Sequence, residues 1–143
     1  MSHARTMARR CAVQALYQWQ LTGQNVDEIY QQFLVERNMA KIDTDMFKEL
    51  LTGITKELDK LDEKIQPHLD RDISEVDPVE RAVLRLGAYE LMYKLDVPYR
   101  VVINESLEAV KTFGAEQGHR FVNGVLDKLA QDIRELEVKR QAR

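Results

Sequence analysis

With 143 residues, 44% of them apolar and 31% charged, the chain has enough material for one domain with its own core and too little for a catalytic domain plus a separate binding domain. Six glycines and three prolines exclude a fibrous or disordered chain, no apolar run nears the ~18 residues of a membrane span, and the polar start at Met1-Ser2-His3-Ala4-Arg5 is no signal peptide. A net charge of −3 argues against indiscriminate nucleic-acid binding, and the lone Cys11 excludes an internal disulfide and fits a reducing, cytoplasmic setting.

The first helix is predicted over residues 4–21. Ala4, Ala8, Cys11, Ala12, Ala15, Leu16 and Trp19 fall on one side at helical spacing, and that side faces the core. Thr6, Arg10, Val13 and Tyr17 stack on the opposite, outward side, with Arg9 and Gln14 at its flanks. An aromatic beside arginines on a solvated face can stack a base while a guanidinium holds a phosphate. Covering the helix surface is the competing role for Tyr17. The charges around this helix are unevenly placed: residues 1–26 contain Arg5, Arg9 and Arg10 and no acid, whereas residues 43–80 hold twelve acids against five bases. One end of the chain therefore attracts phosphate while most of the molecule repels it.

Gly23 and Asn25 end this helix and begin the next, Asn25 as N-cap with Glu28 three residues on. Val26, Ile29, Tyr30, Phe33 and Leu34 make its apolar face, and it ends near Asn38. A third helix starts at Asp43 or Thr44 and runs to Pro67 with Met46, Phe47, Leu50, Leu51, Ile54, Leu58 and Leu61 inward. Gly53 weakens it by about 1 kcal/mol relative to alanine unless close packing requires a glycine. Residues 68–76 are a short connection or a brief helical turn.

Asp77-Pro78-Val79-Glu80 is the clearest helix start: an N-cap aspartate, proline at the first helical position and an acid at the third. The helix it opens is apolar nearly all round, so it is predicted to be the most buried. Glu80, Arg81 and Arg85 in its first turns read most simply as end charge and a rim salt bridge. Val97-Pro98-Tyr99 breaks the chain, and two amphipathic helices follow. Val102, Ile103, Ser106, Leu107 and Val110 share one face of the first; Val122, Val125, Leu126, Leu129 and Ile133 share one face of the second. Phe113-Gly114 ends the first, with Gly114 suited to a left-handed cap. Residues 131–143 turn polar and are predicted to fray.

These elements give an all-α fold of six or seven helices in a single domain, residues 1–143. Glu116-x-x-His119 has the spacing of half a metal site, but no second Glu-x-x-His, phosphate loop or nucleophile elbow is present, and the histidines are only His3, His68 and His119. The sequence therefore offers no catalytic residue, no metal site and no cofactor. The polar set at the second corner is the remaining candidate. Lys111 and Arg120 can neutralise phosphates, Asn123 offers a donor and an acceptor to a base edge, and Phe113 or Phe121 can stack unpaired bases. Core packing is the competing role for both phenylalanines.

The same stretch resembles a known family. Residues 103–114 (INESLEAVKTFG) and 120–130 (RFVNGVLDKLA), together with the blocks at 77–85 and 11–19, are similar to the NusB family, bacterial transcription antitermination factors that bind RNA. The resemblance implies two three-helix bundles packed across each other, subdomains of roughly 1–76 and 77–137, and a polar tail at 138–143. It further implies an RNA site made of Arg5, Arg9, Arg10, Gln14, Tyr17, Lys111, Phe113, Gly114, Gln117, Phe121 and Asn123. The expected ligand is boxA-type single-stranded RNA, bound jointly with NusE, a small-subunit ribosomal protein, so that the complex modifies RNA polymerase against termination. Glu80, with Arg81 and Arg85, would meet NusE. Thr6, Met7 and Ala8 interrupt the denser arginine cluster of the family, which implies that a partner's basic surface adds to affinity. Two other readings stay open: an adaptor of the same fold that binds protein only, and an RNA-targeting domain of a ribosomal RNA methyltransferase. The sequence leaves open whether the free chain pairs with itself as a homodimer.

Overall fold

The computed structural model of the chain describes residues 2–114 and 116–141. Eight α-helices succeed one another: α1 (His3–Thr22), α2 (Val26–Glu36), α3 (Thr44–Lys56), α4 (Leu58–Ile65), α5 (Pro78–Tyr93), α6 (Tyr99–Phe113), α7 (Glu116–Ile133) and α8 (Glu135–Gln141). Single 3₁₀ turns at Gln66–His68 and Ile73–Glu75 connect α4 to α5. No strand occurs among the described residues, and the fold is all-α.

Helix starts follow local chemistry. The Asp77 carboxylate accepts from the backbone N–H groups of Val79 and Glu80 at 3.0 and 3.2 Å, with Pro78 at the first helical position. Asn25 caps α2 through Asp27 N–H at 2.9 Å, and Asp43 caps α3 through Met46 N–H at 3.0 Å. Gly23 closes α1 at φ 66°, a conformation that glycine adopts without a Cβ penalty.

Three features differ from the sequence reading. The long third helix is broken at Glu57 into α3 and α4, although no glycine or proline stands there. Both halves pack on α5, and Ile54, Leu61 and Ile65 are buried along them. The predicted fraying tail contains α8, tethered because the Glu137 carboxylate accepts from Tyr99 N–H at 2.7 Å; Ala142 and Arg143 of that tail lie outside the described residues. Gly114 is extended, at φ −115° and ψ −177°, rather than left-handed. A Cβ there would stand 3.0 Å from the Val110 carbonyl oxygen, so close approach is what favours glycine at this position.

Helix α5 is the central element. It is buried continuously from Ala82 to Leu91, and α1, α3, α4, α6 and α7 all pack against it. Gly53 is explained by this packing, since a Cβ on it would collide with the Tyr89 ring of α5. Buried arginines tie the helices together. Arg9 Nε and Nη1 lie 2.8 and 3.0 Å from the carboxylates of Glu90 and Glu105, joining α1, α5 and α6. Arg85 donates to both oxygens of Asp62 and to Gln20 Oε1. Arg134, between α7 and α8, donates to the carbonyl oxygens of Glu90, Leu91, Lys94 and Val97. Among the described residues no helix is long and apolar enough to cross a membrane.

Candidate nucleic-acid interface

Arg10, Gln14, Tyr17 and Leu21 recur at spacings of four and three, so α1 presents them as one stripe. Tyr17 is 39% exposed and Leu21 56%. Gln14, Tyr17 and Leu21, with Val13, Gln18 and Thr22, form one wall of a groove of about 520 Å³, while Arg10 stands outside its lining. Phe33 and Arg37 of α2, Val79 of α5 and Phe113 of α6 complete its lining. The N-terminal segment and the corner after α6 are thus neighbours. Because Glu105 meets Thr6 and Arg9 near the start of α1 while Phe113 shares the groove with Tyr17, α1 and α6 run in the same sense.

The structure does not bring every predicted residue to this groove. Arg9 is 3% exposed and fully engaged with two carboxylates, so it is corrected from a phosphate ligand to a core residue. Val13, placed on the outward stripe, is buried because α1 is packed by α2, α3, α5 and α6 and has little free side. Arg5 is exposed but faces a separate small recess beside Asp96, Val97 and Pro98. Arg10 is half-buried with Nε lacking a hydrogen-bond partner among the described residues. Lys111 and Gln117 are exposed and share a second recess with His119 and Arg120. Asn123 is also exposed, while Phe121 is half-buried with the Arg71 guanidinium 4.9 Å over its ring, so one ring face is already taken.

At the start of α5, Arg85 makes the salt bridge read from the sequence and so leaves the partner surface that the resemblance implied for it. It is 8% exposed and bidentate to Asp62, not part of an open patch. Arg81 is half-buried and donates to the Ser74 carbonyl at 3.0 Å; burial and the nearby Arg85 lower the pKa of its guanidinium. Glu80 lies against Gly118 of α7, where a Cβ would come within 3.0 Å of its carboxyl carbon. Burial and then Asp77 push the Glu80 carboxyl above its ordinary value, with Arg71 acting the other way.

Arg37 was missed from sequence. Its Nη1 donates to Gln14 Oε1 at the groove edge, and its guanidinium lies 4.1 Å over the Phe33 ring. A cation just past a helix that ends in apolar periodicity was the available signal. For Arg9 the signal was Glu90, an acid inside an otherwise apolar helix, since a buried carboxylate calls for a buried base.

The groove thus offers rings, amides and one guanidinium, groups able to stack a base or hold a phosphate. Comparison with known proteins is specific. Residues 6–131 match the model of the NusB family. A transcription antitermination protein NusB from Nitrosococcus oceani is 53% identical over 142 residues, covering 99% of this chain and 95% of that protein. One of the same description from Shewanella amazonensis is 54% identical over 125 residues, 87% of this chain and 93% of that one. Among solved structures, a crystal structure of antitermination factors NusB and NusE in complex with double-stranded RNA superposes with a TM-score of 0.85 at 31% identity, covering 92% of this chain and 99% of that one. The chain belongs to the NusB family, whose members are not enzymes.

Proposed function

We propose that the protein is a cytoplasmic transcription antitermination factor that binds boxA-type single-stranded RNA together with NusE, the pair then acting on RNA polymerase. The observation that carries this reading is the shared groove of Gln14, Tyr17 and Phe113. Its parts have distinct tasks. Arg10 and Lys111 offer charge to phosphates, Tyr17 offers an open ring to a base, and Gln14, Gln117 and Asn123 offer amides to base edges. Arg5 contributes from the far side of α1, while Gly114 keeps the corner close to Val110. Phe121 supports the corner under Arg71 and has one face left for contact. Glu80, on the α5 surface beside the groove, meets NusE, with Arg81 beside it. No bond is made or broken.

The test is a titration against a boxA-like single strand, its scrambled form and its duplex, with and without NusE, at two salt concentrations. The single strand is expected to bind most tightly, with affinity falling as salt rises. Equal binding of the scrambled strand would sink the sequence-selective reading, and binding of NusE with no RNA affinity at all would leave an adaptor. Tyr17→Ala is expected to weaken RNA binding by about 1–3 kcal/mol, the usual size of one lost base stack. Tyr17 is 39% exposed, so circular dichroism should report an unchanged fold. Glu80→Lys is expected to weaken NusE binding roughly tenfold or more by reversing charge at the contact. Calorimetry with RNA absent reads this directly, and an unchanged NusE affinity would remove Glu80 from the interface.

A further inference from the structure

Arg37 follows the last turn of α2, its backbone N–H donating to the Phe33 carbonyl at 3.1 Å. With its guanidinium stacked on the Phe33 ring, it reaches across the groove mouth and donates from Nη1 to Oε1 of Gln14. A guanidinium has donors and no acceptor, so only the oxygen of the Gln14 amide can face it. An unrestrained glutamine amide can turn either end toward a ligand. Here the oxygen is committed, and the NH₂ group, which has no hydrogen-bond partner among the described residues, is the end left for a ligand in the groove. Uracil and cytosine have nearly the same outline but differ at ring position 4, where uracil presents a carbonyl acceptor and cytosine an amino donor.

We propose that Arg37 is a specificity-determining residue of the groove: by holding the oxygen of Gln14 it makes the site accept the carbonyl edge of a uracil and reject the amino edge of a cytosine at one position of the RNA. The proposal rests on the RNA reading given above. It deepens that reading by giving the Gln14 amide a fixed polarity and Arg37 a positioning role. The guanidinium acts through Gln14 and needs no contact with the base itself.

The experiment is a fluorescence anisotropy series with a boxA-like RNA in which each uridine in turn is replaced by cytidine. It is run on the wild type, Arg37→Met and Gln14→Glu. Methionine keeps an apolar cover on Phe33 and removes the donors. At one RNA position the uridine-to-cytidine change is expected to weaken wild-type binding about tenfold, as for other single base-edge mismatches, and Arg37→Met binding less than about threefold, because its amide is free to turn. In Gln14→Glu, whose carboxylate only accepts, the preference at that position is expected to reverse toward cytidine. A profile for Arg37→Met equal to that of the wild type at every position, with the melting temperature kept, overturns the proposal, as does a Gln14→Glu profile that still favours uridine there. A wild type that binds RNA with a flat profile overturns this proposal alone, whereas a wild type that binds no RNA overturns the RNA reading itself.

Discussion

Replacing Arg9 with methionine is expected to cost about 3–5 kcal/mol of folding stability, a large share of the roughly 5–15 kcal/mol that holds a domain together. The magnitude follows from what the substitution leaves behind. Arg9 is the ion-pair partner of both Glu90 and Glu105, which are 1% and 7% exposed, and Glu105 also accepts from the Thr6 hydroxyl at 2.6 Å. Without the guanidinium two carboxylates face each other in an apolar interior. The loss should depend on pH. Burial pushes the Glu90 carboxyl up while Arg9 pulls it down. A carboxyl whose folded pKa lies above its unfolded one holds its proton more firmly in the fold. Its contribution therefore favours folding at low pH and is lost as pH rises from the unfolded value through the folded one. Removing Arg9 takes away the opposing pull, so the penalty should be greatest at pH 8 and shrink toward pH 5. Urea denaturation at the two pH values measures it. A loss below about 1 kcal/mol at pH 8 would show that the carboxylates do not depend on Arg9. With the expected large loss, Arg9 variants that lose RNA affinity report on the fold rather than on a phosphate contact.

Arg134→Met should cost on the order of 4 kcal/mol, for a different reason. The last carbonyls of a helix lack partners in the turn beyond it, and two of those of α5, together with two in the following turn, accept from one guanidinium. Arg134 donates to Glu90 O, Leu91 O and Lys94 O at 2.9–3.0 Å, and also to Val97 O in the following turn. Glu90 O and Lys94 O keep the backbone N–H groups of Lys94 and Val97 as donors, both at 3.0 Å, so Leu91 O and Val97 O are the carbonyls that lose theirs. Each such loss costs about 1–3 kcal/mol, and water entering the gap relieves part of the sum. The cation also faces the negative end of the α5 dipole. Arg134→Lys keeps the charge but supplies a single ammonium in place of a planar fork, so it should recover less than half of the loss. The Glu137 carboxylate bonds to Arg134 Nη1 at 3.0 Å and to Tyr99 N–H, so α8 should loosen at the same time. Hydrogen exchange at the Tyr99 and α8 amides, measured alongside denaturation, distinguishes this local release from global unfolding. Full protection at Tyr99 in Arg134→Met would show that α8 docks without the arginine.

How legible each part was depends on how local its cause is. The caps at Asn25 and Asp77 are set by residues two or three positions apart, and the sequence placed them correctly, while the start of α3 was read to within one residue of its Asp43 cap. The burial of α5 was equally readable, because a helix apolar all round has no side to give to water. The break at Glu57 was not, since no glycine or proline marks it in the sequence. Nor was α8, which is held by Arg134 and Tyr99 from elsewhere in the chain. The site divides the same way. A helical wheel puts Arg10, Gln14 and Tyr17 on one stripe, and the structure gives Gln14 and Tyr17 a groove while leaving Arg10 outside its lining. The wheel cannot distinguish a solvated arginine from one that meets buried acids on two other helices, and so it misplaced Arg9, whereas the salt bridge read for Arg85 is its pair with Asp62.

Val79 walls the groove and Glu80 is the next residue along α5. Consecutive helical residues stand about 1.5 Å apart along the axis and point about 100° away from each other. Two guests, one in the groove and one on Glu80, would therefore sit shoulder to shoulder and touch one another as well as their host. Each would then hold the other in place while the host stays rigid, and cooperation between them would need no change of shape to relay it.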